Sequence, residues 1–116
     1  MTPLHIRGVV LPEDTERDLW VDPSGRISDE AVPDAQTVGI GVFIVPGLVD
    51  AHCHVGLDEH GGVDEQEQER QIIADRDAGT LLLRNADVPV DTHWINDRPD
   101  LPRVIRAGRH IARTKR

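Results

Sequence analysis

Two histidines one residue apart, His52 and His54, carry the strongest chemical signal in this chain. They close the run Pro46-Gly47-Leu48-Val49-Asp50-Ala51-His52-Cys53-His54. In an extended strand successive side chains point to opposite faces, so His52 and His54 project together while Cys53 points away. Two imidazoles on one face can share one metal ion, and imidazole suits zinc, iron, nickel or manganese-containing sites, zinc being the first expectation. The same alternation sorts Leu48, Asp50, His52 and His54 to one side and Val49, Ala51, Cys53 and Val55 to the other. One face is wholly apolar, and the other turns polar toward its C-terminal end. A strand of a closed parallel barrel behaves this way, presenting chemistry at the barrel mouth. Asp50 is placed one layer below the histidines. There it either orients a ligand histidine from behind or bonds backbone or arginine groups.

Catalytic zinc usually has three protein ligands and one open position, so two histidines need further ligands from elsewhere in the fold. Three other residues fall on the side of a parallel sheet where substrates are met. His60 lies in the loop after the first strand, Arg84 ends the second strand, and His110 follows the third. For Arg84 a structural ion pair is the stronger expectation, because buried arginines are normally paired. His5 and His93 have no partner pattern and read as surface or packing residues. Cys53 is the single cysteine. It cannot form an internal disulfide and reads as a small packed thiol.

The elements that must position these groups follow from local signals. Strands are expected over residues 47–54, 80–84 and 103–107, with a helix over 65–78. Asp64 followed by Glu67 has the form of an N-cap with a reciprocal acid three residues on. Ile72, Ile73 and Ala78 are the expected buried positions of that helix, and Gly79 suits the left-handed position that ends it. Residues 56–63 read as an acidic loop containing glycine. Upstream, Asp22-Pro23-Ser24-Gly25 is a turn joining residues 19–21 to 26–28 as a hairpin.

The segment Phe43-Ile44-Val45-Pro46-Gly47-Leu48-Val49-Asp50-Ala51-His52-Cys53-His54 resembles the barrel entry of the amidohydrolase superfamily of metal-dependent hydrolases. That family pattern runs hydrophobic strand, Pro-Gly, two apolar residues, Asp, any residue, His, any residue, His. Residues 4–10 and 18–27 resemble the small β-sandwich domain that precedes the barrel in many members. Ala78-Gly79-Thr80-Leu81-Leu82-Leu83-Arg84-Asn85 is similar to the second barrel strand, departing at Leu82 and at Asn85, where the family has Asp. The resemblance implies an α/β protein with residues 1–46 as a β-sandwich segment and residues 47–116 as the start of a TIM-like (β/α)8 barrel. It also implies hydrolysis of carbon-nitrogen bonds other than peptide bonds, in a small amide or cyclic amide. Water would be activated by one or two divalent metal ions, zinc first, held in part by His52 and His54. Further histidines, often a bridging lysine, and the aspartate that takes the proton of the attacking water belong to later strands; that aspartate is absent from this chain.

A barrel of this kind typically needs about 250 residues, so the 116 residues here are expected to be the N-terminal part of a longer enzyme and inactive alone. The net charge of -8, an isoelectric point near 5.1 and a mean hydropathy of -0.39 speak for a cytoplasmic protein, against nucleic-acid or membrane partners. Residues 1–7 lack the basic-then-apolar order expected of a secretory signal. The competing reading is a non-catalytic fragment or interaction module. It rests on the basic C-terminal run Arg103, Arg106, Arg109, Arg113, Lys115 and Arg116, which contains no acid.

Overall fold

The structure, a computed structural model, describes residues 1–108. His110 and the basic run from Arg109 onward lie outside the described residues. The chain divides into two compact units, Met1–Pro46 and a second that begins at Gly47.

The first unit is one four-stranded sheet. Strands β1 (Leu4–Val10), β2 (Thr15–Val21), β3 (Ile27–Ser28) and β4 (Gln36–Ile44) lie in the order β3-β2-β1-β4. β1 and β2 pair antiparallel from Leu4 opposite Val21 to Val10 opposite Thr15. The turn into β3 is built by Asp22, whose Oδ1 accepts from the backbone N–H of Ser24 at 2.7 Å and of Arg26 at 3.1 Å. Gly25 there has a φ of +87°, a conformation that side chains resist. β4 returns parallel to β1. β4 crowds β1 at Gly8, where a Cβ would stand 2.1 Å from the carbonyl oxygen of Val42. The sheet face carries charge rather than core: Asp18 takes His5 Nε2 at 2.8 Å and Arg7 Nη1 at 2.5 Å. His5 also stacks on Trp20. The second layer of a sandwich is not found among the described residues of this unit.

The second unit is mixed. Strands β5 (Leu48–Cys53), β8 (Thr80–Asn85) and β9 (Arg103–Arg106) form a three-stranded parallel sheet in the order β5-β8-β9. Between β5 and β8 the chain makes a minimal hairpin, β6 (Leu57–Asp58) with β7 (Gly61–Gly62), and then helix α1 (Glu65–Asp77). The hairpin replaces the loop expected over 56–63. A short 3-10 helix, His93–Asp97, precedes β9. Asp64 caps α1 by accepting from Glu67 N–H at 2.9 Å. The reciprocal half of that cap is not made, because Glu67 reaches forward to Arg70 instead, at 2.5 and 2.8 Å. Ala78 closes the helix and is exposed rather than buried, followed by Gly79 at φ +96°.

The core of this unit is Val55, Ile72, Leu83, Ile95, Leu101 and Val104, with Cys53, Ile73 and Trp94 partly buried against it. Helix α1 is polar along most of its length, yet it buries Gln68 one turn before Ile72. That amide is tolerated because it is satisfied on both sides: Nε2 donates to the Val63 carbonyl at 3.0 Å and Oε1 accepts from Trp94 Nε1 at 2.8 Å. Among the described residues the fold is therefore α/β, mostly strands with one α-helix, and the three parallel strands do not close a barrel. No described helix is long and apolar enough to cross a membrane.

Candidate metal centre

The histidine pair sits where β5 ends, and the strand is not regular there. Asp50 pairs with Leu83 and Cys53 with Asn85, so three steps along β5 match two along β8. Ala51 and His52 together span the interval that Arg84 alone covers, and all three are exposed. The extra residue is a bulge. It corrects simple alternation: Asp50 stands in register with the buried Leu83, on the same side as Cys53, and not on the face of the imidazoles.

The imidazoles nonetheless converge. His52 Nε2 and His54 Nε2 lie 3.2 Å apart, the rings meeting edge to face at 73° with centroids 5.1 Å apart. Two nitrogens bound to one tetrahedral zinc at the usual bond length stand about 3.3 Å apart. The observed separation thus fits one ion held by both Nε2 atoms; without an ion, the same contact needs a proton on one of them. Asp50 Oδ1 accepts from the His52 backbone N–H at 2.9 Å. Its carboxylate therefore braces the bulged backbone that carries His52 rather than the imidazole itself. Among the described residues no group of three His, Cys, Asp or Glu side chains gathers around the pair. Two donors match part of a catalytic zinc site.

Two residues not among the expected site residues fix the backbone just beyond His54. Gln71 of α1 accepts from Gly56 N–H at 2.8 Å and donates to the Leu57 carbonyl at 3.2 Å. Asn85 Nδ2 donates to the Val55 carbonyl at 2.9 Å from a buried position. The position of Gln71 beside the apolar pair Ile72 and Ile73, on the side of α1 that meets the sheet, was the sequence signal for the first. The departure of Asn85 from the pattern of the second strand was the signal for the second.

Cys53 is packed against the core, its Sγ 3.5 Å from the Arg84 carbonyl. Burial pushes its thiol pKa up, and the negative charges of Asp50 and Asp75 push the same way. Asp75 is itself raised, by burial first and then by Asp50. A thiol held protonated is a packing group and not a ready ligand. His60 stands at the tip of the β6–β7 hairpin, exposed, beside Glu59 at 3.3 Å. Arg84 is exposed and makes no ion pair among the described residues, in place of the expected structural pairing. His93 pairs with Asp91 at 2.6 Å.

No family model matches the chain, and no solved structure matches it. The uncharacterized protein Rv2915c of Mycobacterium tuberculosis (strain H37Rv) is 55% identical over 113 residues, 97% of this chain and 30% of that protein. The uncharacterized protein Mb2939c of Mycobacterium bovis is similar to the same extent. The chain spans about 30% of the length of these relatives.

Proposed function

We propose that this chain supplies the first part of a metal-dependent amidohydrolase, with β5, α1, β8 and β9 as the opening strands and helix of a TIM-like barrel. The activity of the whole protein is then hydrolysis of carbon-nitrogen bonds other than peptide bonds in a small amide or cyclic amide, in a cytoplasmic setting. The observation that carries this reading is the 3.2 Å separation of the His52 and His54 Nε2 atoms at the end of a parallel strand. A bound divalent ion, zinc first, lowers the pKa of water toward neutrality and polarises a carbonyl. The residues of this chain hold and orient. His52 and His54 would hold the ion through their Nε2 atoms, and Asp50 braces the bulged backbone that carries His52. Gln71 and Asn85 pin the segment that follows them. His60 and Arg84 stand exposed on the same unit, as groups a substrate can meet.

Calorimetric titration of the 116-residue chain with zinc tests the pair directly. The expected result is weak binding, as two imidazoles allow, that disappears in both His52→Ala and His54→Ala. In a protein spanning the length of the relatives, the same substitutions remove metal, read by mass spectrometry, together with turnover. Stoichiometric metal in both variants would overturn the assigned site.

A further inference from the structure

Strand edges offer unpaired N–H and C=O groups to any other strand, and folded proteins guard them with short length, charge or proline. In the two larger sheets β3 has only two residues, β5 carries Asp50 and His52, and β9 carries Arg103 and Arg106. The remaining edge strand, β4, runs for nine residues without an Asp, Glu, Lys, Arg or Pro. Register shifts against β1 skip Val38 and Gly41, so residues 42–44 form its regular stretch.

One contact fixes which backbone groups of that stretch are free. The Ile44 carbonyl accepts from Leu11 N–H at 2.9 Å, so Ile44 directs its backbone groups toward β1. The N–H and C=O of Phe43, one residue back, therefore point to the open edge. Phe43 and Ile40 pair with Val9 and Arg7, two residues apart on β1, and so stand on one face. Both side chains are more than two-thirds exposed, and Val45 just beyond the strand is 55% exposed. An apolar patch thus adjoins backbone groups that have no strand to bond.

We infer that β4 pairs antiparallel with β4 of a second copy of this chain, about a twofold axis at Phe43, joining the two sheets into one. On the axis Phe43 exchanges both of its backbone hydrogen bonds with its own counterpart, and Val42 lies opposite Ile44. Charge selects a second copy as the occupant. Each chain carries a net charge of -8, so copies repel over most of their surfaces, and β4 offers the same neutral strip from both sides. Such a pairing buries roughly 1,000 Å2 in total, at the low end for a specific interface, and gives a weak dimer with Kd on the order of 100 μM. It uses no residue of the second unit, so it stands apart from the hydrolase reading.

Sedimentation of the 116-residue chain between about 10 μM and about 1 mM tests this. The expected result is reversible association that stops at the dimer and strengthens with added salt, which screens the like charges of the two copies. Phe43→Lys sets two like charges against each other on the axis and is expected to weaken association about tenfold or more. Ile27→Lys changes the net charge equally, at an exposed position on the opposite edge strand, and leaves association unchanged. Hydrogen exchange gives a second readout that needs no variant: the Phe43 amide gains protection as concentration rises, while the Ile44 amide, which faces β1, does not. A monomer at every concentration overturns the inference and leaves the edge to another occupant, such as a further strand of a longer chain. Growth past the dimer, undiminished association in Phe43→Lys, equal loss in Ile27→Lys, or a Phe43 amide indifferent to concentration overturns it as well.

Discussion

In the unit Met1–Pro46 the strands face one another through His5, Arg7, Glu16 and Asp18, whereas the unit that begins at Gly47 gathers Val55, Ile72, Leu83, Ile95, Leu101 and Val104 between a sheet and a helix. Both are built on paired strands, yet only the second has an apolar layer laid over its sheet. In the first, Ile40 and Phe43 of β4 remain more than two-thirds exposed, at 71% and 73%. Exposed ion pairs contribute about 0–1 kcal/mol each, while a fully buried aliphatic side chain contributes roughly 1.5–3 kcal/mol. The helix-covered unit is therefore the one that can hold chemistry in a fixed geometry. The histidine pair belongs to it.

Four substitutions break or sharpen this contrast. The largest effect is expected from Ile72→Ala, which empties the centre of the second unit and costs about 2–5 kcal/mol there. Denaturant melts should show that unit opening, and hydrogen exchange should show β1 and β2 keeping their protection.

Gly8→Ala is the counterpart in the first unit. Its new Cβ meets the Val42 backbone, and overpacking of this kind costs about 1–3 kcal/mol. Exchange of the β4 amides should accelerate, while the second unit keeps its protection and its zinc affinity. Uniform acceleration across both units would show that they unfold as one and would erase the comparison.

Asp64→Ala removes the N-cap of α1, at about 1 kcal/mol. The expected readout is fraying of the first helical turn with the core intact. Asp75→Asn gives the smallest effect, a stabilisation below about 0.5 kcal/mol after solvent screening. Its sign follows from the raised pKa of Asp75. The ionised carboxylate is less favourable in the folded chain than in the unfolded one, so the penalty is present above the folded pKa. It vanishes as pH falls below the ordinary carboxylate range. Melts at neutral pH should show the gain, and melts under acid should show none.

Much of the second unit was legible residue by residue. The Asp64 cap, the Gly79 stop and the three parallel strands depend on neighbours in sequence, and they form at or within a residue or two of the expected positions. The convergence of His52 and His54 was legible for the same reason, since a spacing of two places both rings on one side. The address of Asp50 was not, because the bulge that moves it out of phase is set by how β5 pairs with β8. Ala78 was misread as buried because the end of a helix belongs to solvent or to core according to what packs above it. Gln68 is the reverse case, a polar residue whose burial only a distant Trp94 and the Val63 carbonyl make tolerable.

By itself, the sequence determined where the three parallel strands and the helix between them lie, and that two imidazoles share a face. Caps, turns and alternation act over one to four residues, where chain connectivity alone brings the groups together. Tertiary structure alone decided the bulge under the histidines and the carboxylate that braces it. It also decided the meeting of Asn85 with Arg106, residues 21 positions apart in the chain yet neighbours across two strands. Those depend on register between strands, which follows from the packing of the whole sheet against its helix rather than from any short stretch of residues.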